Sequence, residues 1–327
     1  MKRQNKDRSF NPTQIIFAAT SKCNLKCPHC YVSRNTNQLE LQDAIDFIKS
    51  CKDSSIKYIG FSGGEPFLYI DFMEEICKTT IESDLLFDRI MTNGCWWNSE
   101  DELEQKLNII YKTGYDGKIG LSHDFYHNQP AEKIAVFCKK VYSIWQDGSM
   151  IEIQSVVSSD KIPEDMESFK TLAQELNCNI KINTNKKSGT GLIILENEEI
   201  FLPIRRTPQT FPATSPEGWK AKKWFKEDYC EGPGNILYIH SNGNIAPCCG
   251  FANENPALII GSIKESFSQI MENAKNNPMI NLCYTQGLSS FRKKAKKDGI
   301  KFSGKTADNC TFCDFISSAT FINHNGN

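Results

Sequence analysis

The sequence predicts an α/β fold: a parallel sheet of six βα units curled into a partial barrel, followed by a small C-terminal domain. The first observation is a set of six short, β-leaning apolar runs at residues 15–19, 58–61, 89–91, 119–121, 151–157 and 180–182. After the first gap their starts lie about 30 residues apart, the length of a strand plus a crossover helix. The second is the amphipathic helical patterning between them, at residues 38–52, 67–81, 100–111, 131–145 and 164–176. In the first of these Leu41, Ala44, Ile45 and Ile48 fall on one face. Right-handed crossovers make such a sheet parallel and place the helices outside it. The third is that the pattern stops near Lys186. Ile-Ile-Leu and Phe-Leu-Pro-Ile runs and a Pro/Thr-rich stretch at 206–217 read as a bridge and loop. From Cys230 cysteines become dense, and residues 236–240, Ser-Asn-Gly-Asn and Ile245 give a hairpin signal. The expected organisation is a partial barrel at 1–190, a bridging region at 191–229 and a small domain at 230–327.

A hydrophobic share of 39% is enough for a real core, and a net charge of −1 gives no general pull toward nucleic acid or anionic membrane. No apolar run is long enough to span a bilayer, and the basic N-terminus lacks the apolar stretch of a secretory signal. A cytoplasmic location is expected, with neither nucleic acid nor membrane as partner. Fourteen cysteines in a reducing compartment point to metal or redox chemistry rather than to disulfides. Cys51, Cys77, Cys138 and Cys178 sit inside regular segments without a ligand-spaced partner, and read as small buried hydrophobes.

Cys23-Asn-Leu-Lys-Cys27-Pro-His-Cys30 follows the first strand directly. Three thiolates on one loop hold three corners of a four-iron cube and leave the fourth iron open to a ligand. The same spacing also suits tetrahedral zinc, with His29 or a distant cysteine as fourth ligand. The surroundings weigh against zinc. Ser62-Gly63-Gly64-Glu65-Pro66 follows the second strand, Thr92-Asn93-Gly94 the third, and Ser122-His123-Asp124 the fourth. Functional groups in a parallel βα barrel gather at these carboxyl ends. Two glycines let the backbone approach a ligand and present N–H groups, and Glu65 is of a type that receives an ammonium.

The C-x3-C-x2-C spacing followed by Tyr31, together with the GGEP sequence, resembles the radical S-adenosylmethionine (SAM) superfamily over about residues 12–185. That resemblance implies a 4Fe–4S cluster on Cys23, Cys27 and Cys30 whose open iron chelates SAM. Reductive cleavage then gives methionine and a 5′-deoxyadenosyl radical, the electron coming from a reductant such as flavodoxin or ferredoxin. It implies SAM contacts from Tyr31, Gly63, Gly64, Glu65, Asn93 and Ser122. His123, Asp124, Tyr126 and His127 are either an ordinary polar loop with a satisfied buried histidine or groups around SAM or a substrate backbone. Cys95, Trp96 and Trp97 read as packing.

Cys230, twelve residues, Gly243, four residues and Cys248 are similar to the first half of the SPASM/twitch extension of radical SAM enzymes, and Cys310-Thr-Phe-Cys313 to its continuation. The resemblance implies one auxiliary 4Fe–4S cluster on Cys230, Cys248, Cys310 and Cys313. Only fourteen residues follow Cys313 and none is cysteine, so the shorter twitch form is the better match. Cys249 directly follows Cys248. Neighbouring side chains of an extended segment point to opposite faces, so one of the pair is left over beside the cluster. Which of them is the ligand stays open, and Cys283 is given no role. The basic run from Arg292 to Lys297 reads as a solvated helix face or a grip for an acidic peptide.

The whole chain resembles the radical SAM peptide epimerases, which act on ribosomally made, post-translationally modified peptides. By that resemblance Cys249 is the catalytic hydrogen donor: a thiol opposite a planar Cα radical returns hydrogen with inverted configuration, L to D. The main alternative is a peptide-crosslinking or thioether-forming enzyme. A small-molecule radical SAM enzyme and a non-catalytic iron–sulfur sensor are the further alternatives.

Overall fold

The computed structural model of the chain describes residues 9–33, 35–157, 161–226, 229–230 and 234–318. In chain order its elements are β1 (Gln14–Phe17), α1 (Leu41–Ser50), β2 (Tyr58–Phe61), α2 (Ile70–Glu82), β3 (Leu86–Thr92), α3 (Glu100–Lys112), β4 (Lys118–Ser122), α4 (Ala131–Trp145), β5 (Ile151–Val157), α5 (Ile162–Glu175), β6 (Asn179–Thr184), β7 (Gly191–Glu196), β8 (Phe201–Pro208), β9 (Gly234–Ile239), β10 (Asn244–Cys248), β11 (Gly261–Ser262), α6 (Phe267–Asn276), α7 (Pro278–Asn281), α8 (Leu288–Lys297) and α9 (Asn309–Ser317). They divide into two compact units, one of residues 17–45 and 58–209, the other of 1–16, 46–57 and 210–327. None of the helices among the described residues is long and apolar enough to cross a membrane.

The first unit is the open, mostly parallel sheet of the partial barrel. β2, β3, β4, β5 and β8 pair in parallel in that order. Phe17 at the end of β1 accepts the Ser62 N–H at 2.9 Å. The apolar strand positions Phe17, Ile59, Phe61, Ile90, Leu121, Ile153 and Ile204 are fully buried. Helices cover the sheet with apolar stripes: Leu103, Leu107 and Ile110 from α3, Ile134, Phe137, Cys138 and Val141 from α4. α3 starts where Ser99 accepts the Glu102 N–H, with Glu100, Asp101 and Glu102 in its positive first turn. Cys51, Cys77 and Cys138 are buried as expected of inert thiols, while Cys178 is half-buried.

One expectation needs correction. The run at 180–182 is a strand, β6, but not the sixth parallel one. It pairs antiparallel with β7, and β7 pairs antiparallel with β8. The sixth parallel strand is β8, which lies inside the stretch read as a bridge. The barrel unit therefore runs to Gln209 rather than to 190. Exposure explains β6: most of Asn179–Thr184 faces solvent, as suits an outer strand. In β8, Leu202, Ile204 and Arg206 are the buried alternation. Pro203 and a buried arginine disguise that period in the sequence.

In the second unit the expected hairpin forms from β9 and β10, with β11 antiparallel beyond β10. Its turn closes through His240 N–H to Asn244 O and Gly243 N–H to His240 O, each 2.9 Å. Gly243 has φ +85°, a conformation glycine adopts at no steric cost. α9 is wrapped by aromatic rings: Phe312 lies 5.2 Å from Phe225 and 5.7 Å from Phe302.

Candidate radical SAM site and auxiliary iron–sulfur site

In the barrel unit the cysteine loop is fastened to the strand ends by backbone. Gly64 N–H donates to Thr20 O and Glu65 N–H to Lys22 O, both at 2.8 Å. A Cβ on Gly64 would run into the carbonyl of Lys22, one residue before Cys23. The glycine thus lets the SGGEP segment lie against the cysteine loop, and the Gly64 N–H, one of the two glycine N–H groups expected at a ligand, bonds to the chain instead, as does the Glu65 N–H. Gly63 has φ +114°, and a Cβ there would meet Thr20 O at 2.8 Å.

Glu65 is fully buried, and its carboxylate accepts from Phe67 N–H (3.2 Å), the Thr92 hydroxyl (2.8 Å) and Asn93 N–H (2.8 Å). Burial pushes its pKa up to about 7, against the downward pull of those donors and of Lys106. Through these bonds Glu65 clamps the second strand end to the third.

Asn93 is the hub between loops. Its amide NH2 donates to Asn24 Oδ1 (2.8 Å) and approaches Cys23 Sγ (3.8 Å), while its Oδ1 accepts Cys95 N–H (2.8 Å). Asn24 in turn donates to Cys95 O at 3.0 Å. Leu25 N–H points at Cys23 Sγ at 3.4 Å, and Cys30 N–H closes a turn on Cys27 O at 3.1 Å. N–H donors aimed at a sulfur suit a thiolate ligand, because hydrogen bonds to the sulfurs stabilise and tune an iron–sulfur cluster. Cys23 and Cys27 are half-buried, Cys30 and Tyr31 exposed, and Ser122 half-buried at the end of β4.

The polar cluster after β4 separates into two parts. His123 is a satisfied buried histidine, its ring nitrogens engaged by Gln129 (3.3 Å) and Ser168 (2.9 Å), and burial lowers its pKa. Gln129 also donates to Asn93 O, so His123 is linked through Gln129 to the cysteine-loop hub. His29, Asp124 and His127 offer atoms within 4.8 Å of one another. The Asp124 carboxylate, however, already accepts Tyr126 N–H (3.0 Å), His127 N–H (3.1 Å), His127 Nδ1 (2.8 Å) and Val156 N–H (2.8 Å). Burial would raise the Asp124 pKa, but His127 and the Val156 N–H bring it below the usual carboxylate range. A carboxylate so supplied with donors braces the loop, and the His127 ring packs edge-on against His29 at 4.8 Å. Trp96 stacks on Phe67 at 4.6 Å and Trp97 donates to Gly94 O, so both are packing.

In the second unit five cysteines, Cys230, Cys248, Cys283, Cys310 and Cys313, line one cavity of about 620 Å³. Cys310 and Cys313 stand one turn apart on α9, whose start is capped by Asp308 accepting Cys310 N–H at 2.8 Å. Cys248 enters through a bulge between Ala246 and Cys248 in β10. Cys249 does not line the cavity and is exposed. Burial pushes the Cys248 and Cys310 thiols well up, joined by repulsion from neighbouring thiols at Cys248 and from Asp308 and then those thiols at Cys310. Such a set ionises together only beside positive metal, which is the chemistry of a thiolate-held cluster. Among the described residues, which include all fourteen cysteines, no disulfide forms. Arg292 lies over Trp224 at 4.7 Å instead of in solvent, whereas Lys293, Lys294, Lys296 and Lys297 are exposed.

Reading by sequence motif missed Asn24, Gln129, Cys283 and Tyr284. Only Cys283 carried a signal, as one more cysteine in a dense tail.

Residues 18–116 match the Radical SAM superfamily, and residues 230–314 match SPASM, an iron–sulfur cluster-binding domain. The chain carries a radical SAM domain and a SPASM/twitch domain, and is a radical SAM enzyme whose cofactors are SAM and 4Fe–4S clusters. YydG of Bacillus subtilis (strain 168), named for peptide biosynthesis, is 22% identical over 306 residues, 88% of this chain and 85% of its own length. AlbA of the same organism, an antilisterial bacteriocin subtilosin biosynthesis protein, is 21% identical over 323 residues, 90% of this chain and 66% of its own. The solved structure of anSMEcpe with bound AdoMet and Cp18Cys peptide superposes with a TM-score of 0.55 at 14% identity, covering 95% of this chain and 97% of that one. That likeness shows the fold.

Proposed function

We propose that this enzyme modifies a ribosomally made peptide by L-to-D epimerisation, with Cys23, Cys27 and Cys30 holding the SAM-binding cluster and Cys230, Cys248, Cys310 and Cys313 the auxiliary one. Tyr31, Gly63, Gly64, Glu65, Asn93 and Ser122 shape the SAM site in this reading, Glu65 and Asn93 by holding its loops together. When bound, the first cluster and SAM supply a 5′-deoxyadenosyl radical that takes hydrogen from an unactivated carbon. YydG and AlbA, named for peptide and bacteriocin biosynthesis, support a peptide as partner.

The observation that carries the reading is the division of labour at the Cys-Cys pair: Cys248 lines the thiol cavity while Cys249 is exposed beside it. Cys249 gives a hydrogen atom to the opposite face of the peptide Cα radical. Its S–H bond breaks, the new Cα–H bond forms, and the sulfur-centred radical left on Cys249 takes one electron from the external reductant and one proton from solvent. A flavodoxin- or ferredoxin-type protein would serve.

The test is incubation of anaerobically reconstituted enzyme with SAM, reductant and a short peptide encoded beside its gene, in D2O. A gain of about one mass unit per modified residue supports return of a solvent-exchanged thiol hydrogen, and Cys249→Ala should abolish the gain while SAM is still cleaved. A loss of about two mass units per event refutes epimerisation and makes the enzyme an oxidising crosslinker.

A further inference from the structure

Four of the five cysteines lining the 620 Å³ cavity belong to the SPASM/twitch pattern, and Cys283 does not. Cys283 Sγ lies 3.9 Å from Cys313 Sγ, the separation of an S–H···S hydrogen bond. Ligands on different corners of one cube are held farther apart than this by the cube itself. Cys283 is 4% exposed, and its backbone carbonyl accepts the N–H of Cys230 at 3.1 Å. It touches two predicted ligands, one through its thiol and one through its main chain.

Its position is fixed by unusual backbone. Leu282–Gln286 is a π-helical turn between α7 and α8, a geometry found disproportionately at functional sites. The turn presents the next residue, Tyr284, to the hairpin: its hydroxyl accepts Asn235 N–H at 2.8 Å and donates to Pro247 O at 3.1 Å. Tyr284 thereby ties together the strands beside Cys230 and Cys248. A Cβ on Gly234 would collide with both the Tyr284 hydroxyl and Cys230 Sγ, so this packing admits only glycine there.

We infer that Cys283 is a positioning and tuning residue of the auxiliary cluster: it does not ligate iron, and it turns its S–H toward the sulfur of the ligand Cys313. The inference rests on the auxiliary cluster occupying this cavity, not on the reaction the enzyme performs. A hydrogen bond to a ligand sulfur stabilises the more negative, reduced cluster and so raises its reduction potential.

The experiment is iron and sulfide analysis with an EPR-monitored redox titration on reconstituted full-length wild type, Cys283→Ala and Cys283→Ser, without peptide. Expected is about eight irons per chain in all three, as two four-iron clusters require. The auxiliary midpoint should move to more negative potential in Cys283→Ala and return most of the way in Cys283→Ser, whose hydroxyl still donates to the sulfur. Loss of about half the iron from both variants would make Cys283 a ligand and overturn the inference. So would an unmoved midpoint at full iron content. A wild type holding only about four irons would overturn the auxiliary cluster itself, and the inference with it.

Discussion

Gly64→Ala tests how the cysteine loop is held in place. The new Cβ would lie on the main-chain carbonyl of Lys22 and against the carbonyl carbon of Ser21. No flexible side chain stands there to move aside, so backbone must separate from backbone. Separation costs the bonds Gly64 N–H to Thr20 O and Glu65 N–H to Lys22 O. At about 1 kcal/mol net each they contribute about 2 kcal/mol. Forcing a methyl group into a packed contact adds about 1–3 kcal/mol, for a total of about 3–5 kcal/mol. Denaturant unfolding of the cluster-free protein measures the global loss, and amide hydrogen exchange localises it. The Gly64 and Glu65 amides should exchange at least about a hundredfold faster in the variant, since every 1.4 kcal/mol is tenfold. Because Lys22 precedes Cys23, reconstitution of the first cluster should fall as well. Stability within about 0.5 kcal/mol of wild type, with both amides still protected, would refute the close-approach argument.

Three further outcomes follow from the same geometry. The Glu65 pKa, pushed from 4.5 to about 7 by burial, means that the folded state holds this proton more tightly than the unfolded state. Its contribution is fully present below pH 4.5 and lost as pH rises through 7. At about 1.4 kcal/mol per unit it amounts to roughly 3 kcal/mol; melting temperatures against pH should show that slope in wild type and lose it in Glu65→Gln. The Asp165–Arg206 pair is buried on both sides, at 1% and 0% side-chain exposure, and Asp165 also accepts Phe125 N–H. Arg206→Ala should therefore cost about 3–5 kcal/mol by denaturant unfolding, far more than removal of a surface pair. Iron analysis should separate the adjacent cysteines: Cys248→Ala loses the iron of one cluster, about four per chain, while Cys249→Ala keeps it.

What was legible in the sequence follows from how local each signal is. Strands β1 to β5 and their helices were readable because apolar period and crossover length both lie within a few dozen residues. β8 was not, because its alternation runs through Pro203 and Arg206, and Arg206 is tolerated inside only by its pairing with Asp165, 41 residues away. The cysteine spacings showed where thiols cluster, since a loop or a helical turn fixes that spacing. They could not show that the Asn93 side chain bonds to Asn24, because that partner comes from another strand end, 69 residues away. Cys283 stood out only as one more cysteine in the dense tail; its role was hidden for a similar reason, since 30 residues separate it from Cys313 and a π-turn that no spacing rule announces brings their sulfurs together.

The two cysteine sites are stabilised by different physics, and this bears on how each would respond to damage. The first is a loop on a hydrogen-bonded scaffold, in which Glu65, Asn93 and Gln129 fasten successive strand ends and Cys30 stays exposed. A site of that kind keeps an open side for a small molecule, and pays in dependence on a few polar contacts whose loss exposes unpaired buried groups. The second is a lined cavity backed by rings, with Phe312 between its two helical cysteines and Arg292 over Trp224. A cluster held there would rest against an aromatic wall rather than on a polar loop. Single polar substitutions should therefore weaken the first cluster selectively, whereas the second should yield to loss of a ligand or of its aromatic wall. Cys249 is exposed and lies outside the cavity that its neighbour Cys248 lines, which leaves its reactivity as the property to be explained.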